Sequence, residues 1–205
     1  MRRALAGICL VSLLAVGCGG GDETSLEAYV ESVNAMVNQT VERYQAIVTS
    51  PSGRILLAER SELSDYTPQD LQVALDRTTE MQLEVKKAGD AIEPPDQVAD
   101  LHGLMFRFDF ISIDQALAAR AATATDWEEL SGTPEMAAYR AQVAQDKQAC
   151  RDLQAELNAT AEGEGFAIDA WLSAELREIV DAGFGCESFP ENPEDLFRPL
   201  ATPGP

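Results

Sequence analysis

Positive charge is scarce in this sequence. Its 205 residues include 15 lysines and arginines against 35 aspartates and glutamates, which gives a formal net charge of −20 at pH 7. Phosphate backbones and anionic lipid headgroups repel a chain of this charge. The composition therefore excludes nucleic acid as a partner and leaves a basic protein or divalent cations open. The acids are spread along the chain, a pattern that is typical of solvated helix faces.

Motifs of reactive sites are lacking too, and His102 is the only histidine. Di-iron sites in helical bundles use Glu-x-x-His pairs, but Ala99 is the residue three positions before His102. The sequence has no haem-attachment motif, nucleophile elbow, phosphate-binding loop or glycine-rich dinucleotide turn. We therefore predict no metal, no cofactor and no enzymatic activity. We interpret His102 as a surface or half-buried hydrogen-bonding group.

One long apolar run exists, and it lies near the first residue of the chain. Ala4 to Val16 follows Arg2 and Arg3 and is shorter than the roughly 20 residues that a membrane-spanning helix needs. A basic start before a short apolar run is typical of a signal peptide. The small residues before Cys18 fit cleavage by a lipoprotein signal peptidase. We predict that residues 1–17 are removed and that the thiol of Cys18 carries diacylglycerol.

This anchor would place the protein on the cell membrane or outer membrane, facing the extracytoplasmic side. Ala15 stands where leucine is commonest in such cleavage sites, and an ordinary secretory peptide with an unmodified Cys18 is the alternative. Residues 18–23 are rich in glycine and are interpreted as a flexible tether. Acyl chains such as palmitate, at about 0.8 kcal/mol per buried CH₂, would hold the protein firmly to the membrane.

Two further cysteines, Cys150 and Cys186, remain in the mature chain. An oxidising compartment favours a disulfide between them. Cys150 lies about eleven residues, or roughly 16 Å, before the end of one predicted helix, and Cys186 follows the next, so antiparallel neighbours would bring the sulfurs together. A free thiol pair for redox or metal chemistry is the alternative, but the spacing is not C-x-x-C.

Apolar residues recur at steps of three and four through most of the mature chain, and sustained alternation is missing, which predicts helices and no strands. The predicted helices run from Thr24 to about Ser50, from Thr67–Pro68 to Pro94, from Pro95 to about Thr123, from Thr133–Pro134 to Gly163 and from about Ala167 to Ala182, with a weak turn at Asp126 to Leu130. Thr24 with Glu27 forms a predicted capping box. We predict an all-α fold over residues 24–186, an up-down antiparallel bundle of four long helices plus a shorter C-terminal helix.

Two segments fit no long helix. Residues 54–63 are open to a short amphipathic helix or a packed loop. Residues 187–205 form an acidic tail with five prolines, which cannot continue a helix. This irregular tail is either disordered or lies on the surface through Leu196, Phe197 and Leu200.

The third predicted helix is apolar on two opposite sides, one of which carries aromatic residues. This second face could form a groove for an apolar ligand or a partner helix, with a histidine and an aspartate as its polar groups. The alternative is that residues 54–63 or the tail cover it. The residues of this predicted face are His102, Phe106, Asp109, Phe110, Ile113 and Leu117.

The stretch from Ala91 to His102, which reads Ala-Ile-Glu-Pro-Pro-Asp-Gln-Val-Ala-Asp-Leu-His, resembles one in uncharacterised helical-bundle lipoproteins of high-GC bacteria. The Ala149–Gln154 run around Cys150, with a later Cys186, is similar to theirs as well. The resemblance covers roughly residues 65–186. It implies a helical fold and export, and it implies no activity.

These observations predict an exported lipoprotein whose partners are the membrane, through the lipid, and a protein of the envelope. Its body would be a non-enzymatic interaction module. The alternative function is binding of a small apolar ligand at the second face of the third helix.

Overall fold

The computed structural model describes residues 25–163 and 190–198. Every regular element in these ranges is helical, so the all-α prediction is confirmed for them. The α-helices are α1 (Leu26–Val48), α2 (Pro68–Asp90), α3 (Ala99–Met105), α4 (Ile111–Ala121), α5 (Trp127–Ser131) and α6 (Pro134–Gly163). Short 3₁₀ helices cover Gly53–Leu57, Arg60–Asp65, Asp96–Val98 and Pro193–Asp195. The predicted signal peptide, tether and C-terminal helix, with Cys18 and Cys186, lie outside the described residues.

Helices α2 and α6 begin where the sequence predicts, at a Thr-Pro pair. The Thr67 hydroxyl accepts a hydrogen bond from the amide of Asp70, and the Asp70 carboxylate accepts one from the amide of Thr67 at 2.9 Å. The Thr133 hydroxyl likewise accepts from the amide of Met136 at 3.2 Å. In both cases proline occupies the first helical position, where its missing N–H costs no hydrogen bond.

Helix α1 begins at Leu26, two residues after the predicted start at Thr24. The Ser25 hydroxyl caps it by accepting a hydrogen bond from the amide of Ala28 at 3.2 Å. The structure places the cap at Ser25, while Thr24 and the side chain of Glu27, the predicted capping box, lie outside the described residues. Serine and threonine are close to equal as caps, so the sequence does not distinguish two neighbouring candidates.

The predicted third helix is also wrong as a single element. The chain forms α3, leaves the helical path over residues 106–110, and resumes as α4. Phe106 turns back onto α2, where Gly89 leaves room for its ring: an added Cβ at Gly89 would lie 2.9 Å from Phe106 Cε1, and closer still to two other ring atoms. A straight helix with two apolar faces would leave one of them in water, and the break buries residues of both.

The main hydrophobic core lies around α2, which contacts both α1 and α4, while α4 also contacts α6. Fully buried members of this cluster come from α2, α4, α5, α6 and the segment before α2; they include Ile55, Leu71, Ala74, Leu117, Ala121, Leu130 and Met136. A second cluster joins α1 to the chain around α3 through Tyr29, Val33, Val98 and Leu101. Leu153 of α6 packs against this second cluster. The up-down order of the helices stays a prediction.

Residues 54–63, for which the sequence allowed a short helix or a packed loop, lie within two 3₁₀ helices, Gly53–Leu57 and Arg60–Asp65, that pack on the core. Ile55 is 1% exposed and Leu63 is 3% exposed, so the segment covers the side of α2 that would otherwise be open. None of the helices within residues 25–163 and 190–198 combines the length and apolarity needed to cross a bilayer.

Candidate functional site

His102, the lone histidine, lies between α1, α2 and α3. Its Nδ1 is 3.1 Å from the hydroxyl oxygen of Tyr29, and its ring lies close to the backbone of Gly89. Burial raises the pKa of Tyr29 to about 12, so this hydroxyl keeps its proton and can donate it to Nδ1 of a neutral imidazole. In that tautomer the other ring nitrogen carries the hydrogen.

The imidazole of His102 is half-buried, and its Nδ1 is bonded inside the fold. The Phe106 ring covers one side of it, with ring centroids 4.6 Å apart. Burial lowers the pKa of His102, because the charged form would lose solvation and could not accept the Tyr29 proton. This arrangement agrees with the interpretation of His102 as a half-buried hydrogen-bonding group. It gives the ring a positioning role between three helices.

The six residues of the predicted ligand face do not share one face. Leu117 is fully buried in the main core, in the same cluster as Ile55, Leu63 and Phe197. Phe106 packs on Gly89 and His102 instead, and it is 8% exposed.

The remaining members of that predicted face lie at or near the break between α3 and α4. Phe110 and Ile113 are half-buried, and the Phe110 ring centroid is 5.8 Å from that of Phe108. Asp109 is exposed and forms an ion pair with Arg107 at 2.5 Å. The continuous groove expected of an unbroken helix is therefore missing from the described part of the chain.

The C-terminal segment 190–198 is attached to the helical body, which corresponds to the surface-packed alternative for the tail. The Phe197 ring is 7% exposed and stacks on Trp127, with centroids 5.8 Å apart and planes inclined by 13°. Arg140 of α6 donates two hydrogen bonds to the carbonyl of Leu196, at 2.9 and 2.7 Å, and one to the carbonyl of Ser131 at 3.0 Å. The sequence pointed to Leu196 and Phe197, and it contained no signal for Arg140.

Asp114 is a functional candidate that the sequence reasoning missed. It lies in the first turn of α4 and is only 6% exposed. Burial raises its pKa to about 7, and the like charge of Asp146 adds to this rise, while a hydrogen bond from Gln82 opposes it. An acidic residue between Ile113 and Leu117, on the apolar side of a helix, was the signal that could have found it.

An open groove of about 430 Å³ runs between α2 and α4. Leu83, which is 47% exposed, is one of its lining residues. Its charged lining residues are Asp76, Glu80, Glu84 and a single base, Lys87. Within residues 25–163 and 190–198, no three side chains of histidine, cysteine, aspartate or glutamate are grouped so that they could hold a metal ion.

Comparison with known proteins returns no match: no family model fits the chain, and no curated protein or solved structure is significantly similar to it. The interpretation of this protein therefore rests on its own residues.

Proposed function

We propose that the protein is an exported lipoprotein, held on the cell membrane or outer membrane by lipid on Cys18, whose helical body is a non-enzymatic interaction module of the cell envelope. The observation that carries this proposal is the order of features at the start of the sequence. Two arginines, a short apolar run and small residues lead directly to Cys18. An acidic helical body on such a tether suits a protein partner with basic surface.

The way the fold uses its polar groups supports an interaction module over an enzyme. Histidine and arginine are common in catalytic sites, but here both side chains bond to other parts of the chain. His102 bonds to the Tyr29 hydroxyl, and Arg140 donates to backbone carbonyls. Both side chains hold parts of the chain together. Chemistry on a substrate would need such groups to point into a site that a substrate can enter.

A disulfide between Cys150 and Cys186 forms part of this proposal. Lys147 Nζ, in the middle of α6, lies 3.3 Å from the carbonyl oxygen of Pro190. Residue 190 is therefore close to the middle of α6, although the chain has first passed Gly163 at the end of this helix. Lys147 and Gly163 are 16 residues apart on α6, which is about 24 Å along the helix axis at 1.5 Å per residue. The predicted helix at 167–182 has the same length, which supports an antiparallel path beside α6. Cys150 lies one turn from Lys147, and Cys186 precedes Pro190 by four residues.

Lipidation is tested by feeding cells radiolabelled palmitate and recovering the protein. We expect label in the wild-type protein and none in Cys18→Ser, which should also keep its signal peptide because the peptidase requires the lipid-modified cysteine. Cys9→Ser is the matched control and should be labelled and cleaved like the wild type. A wild-type protein without label, or a Cys18→Ser variant that is still labelled, would overturn the anchor.

The disulfide is tested on the purified mature protein by alkylation and intact-mass measurement. Without reduction neither Cys150 nor Cys186 should react, and after reduction both should, because an oxidised pair has no thiol to alkylate. The Cys150→Ser variant should expose Cys186 to the reagent even without reduction. Alkylation of both cysteines in the unreduced, unfolded wild type would refute the bond and leave the lipid anchor untouched.

A further inference from the structure

Asp114 lies where α2, α4 and α6 meet, and the described groups that face it include no cation. Gln82 faces it from α2, and Tyr139 and Asp146 face it from α6. Tyr44 of α1 lies beyond Tyr139. A carboxylate in such a place would be stripped of water without gaining a positive partner, which is among the costliest arrangements in a protein interior.

The amide of Gln82 shows what the Asp114 carboxyl needs. The Gln82 side chain lies beside the carboxyl of Asp114 and lowers its pKa, while its own Oε1 is buried and has no hydrogen-bond partner. An ionised carboxyl has no hydrogen to offer this oxygen. A protonated carboxyl has an O–H group, and it can donate this hydrogen to Oε1 while its other oxygen accepts from the amide nitrogen.

We propose that Asp114 is a neutral carboxylic acid in the folded protein at mildly acidic pH, and that its pair with Gln82 is a proton-dependent lock between α4 and α2. The balance of protons is simple: the folded state holds one proton on Asp114 that the unfolded chain releases to water. The lock belongs to the fold and does not depend on the lipid anchor.

The direction of the pH effect follows from where the proton is held. Burial places the pKa of Asp114 near 7 in the folded state, against an ordinary value of about 4 in an unfolded chain. The stabilisation is complete below the unfolded value and is lost as the pH rises through 7. Above that pH, ionised Asp114 would also repel Asp146, whose own pKa is raised by burial and lowered by Gln142 and Arg107.

His102 changes stability in the opposite direction, so the experiment must separate the two. Its lowered pKa makes neutral His102 the stabilising form, and its contribution is present above its unfolded pKa of about 6.5 and lost as the pH falls through the folded value. Comparison of variants at each pH removes this effect, because His102 is common to all of them.

The test is urea denaturation of the full mature chain at pH 5.5, 7.0 and 8.5. We expect the unfolding constant of the wild type to rise at least about tenfold between pH 5.5 and 8.5 relative to Asp114→Asn, since a pKa that is higher by 1 in the folded state changes this constant by a factor of about ten. Asp114→Asn should become the more stable protein at pH 8.5. Asp109→Asn, which changes an exposed aspartate, should follow the wild type.

Carboxyl ¹³C titration of the wild type by NMR reads the proton on Asp114 directly and requires no variant to fold. A midpoint near 7 for Asp114 supports the lock. A midpoint near 4, or parallel pH profiles for the wild type and Asp114→Asn, would overturn it.

Discussion

Replacement of Gly53 by alanine is expected to lower the free energy of unfolding by about 3 kcal/mol, because the added methyl group has no space. Its Cβ would overlap the carbonyl group of Ile47 and would lie 2.7 Å from the hydroxyl oxygen of Ser50. Backbone cannot move aside as a flexible side chain can. The 3₁₀ helix that begins at Gly53 would have to lift from the end of α1, and Ile55 would lose its buried place.

Urea denaturation followed by circular dichroism measures this change. Gly103→Ala is the matched control, since an added Cβ there meets nothing within 4 Å and α3 is a helix. Alanine should be neutral or stabilising at that position, by up to about 1 kcal/mol. If the two variants unfold at the same urea concentration, the close approach at Gly53 is wrong.

The second large effect is expected at Phe197, near the end of the chain. Phe197→Ala should cost about 3 kcal/mol of unfolding free energy, the lower end of the range for buried phenylalanines. Phe197 has a φ of 50°, a conformation that costs a non-glycine residue on the order of 1 kcal/mol. The chain accepts this cost because the ring stacks on Trp127 and also meets Tyr139, at a centroid distance of 6.2 Å.

Tryptophan fluorescence and urea denaturation together report on this contact. In Phe197→Ala the emission should move to longer wavelength as Trp127 gains access to water, and the unfolding midpoint should fall. Leu57→Ala removes an apolar side chain that is 64% exposed and should change neither quantity by much. An unchanged midpoint in Phe197→Ala would mean that segment 190–198 contributes nothing to the stability of the body.

Local chemistry explains which elements could be predicted from the sequence. Helices α2 and α6 each begin with a threonine cap followed directly by proline. Both predicted starts are confirmed. The weak turn predicted at Asp126 is helix α5, capped by the Asp126 carboxylate on the amide of Glu129. Signals of this kind need no knowledge of distant residues.

The break between α3 and α4 could not be predicted in this way. Periodicity placed Phe106 and Phe110 one turn apart on a continuous helix, and nothing in residues 95–123 forbids that helix. The break depends on Gly89, which lies more than fifteen positions earlier in the chain. Because Gly89 has no side chain, the Phe106 ring can pack against α2 there. Tertiary packing overrides local preference where a helix has two apolar sides to bury.

In the candidate site, too, some residues could be interpreted from local sequence and others depend on distant partners. His102 could be interpreted correctly because a single histidine without spaced partners has few other uses. The roles of Asp114 and Arg140 depend on partners at Gln82 and Leu196, which lie far away in the sequence. The sequence shows which groups are available, and the fold decides which of them lose water.

The hydrogen bonds from Arg140 to the C-terminal segment have an evolutionary consequence. All three of its hydrogen bonds end on main-chain oxygens, of Leu196 and Ser131, and carbonyls are present whatever the side chain. The residue at position 196 can therefore change without loss of these hydrogen bonds. Insertions or deletions between Pro190 and Phe197 should not be tolerated, because they would move the aromatic ring away from Trp127. Selection on this part of the protein should fall on spacing more than on composition.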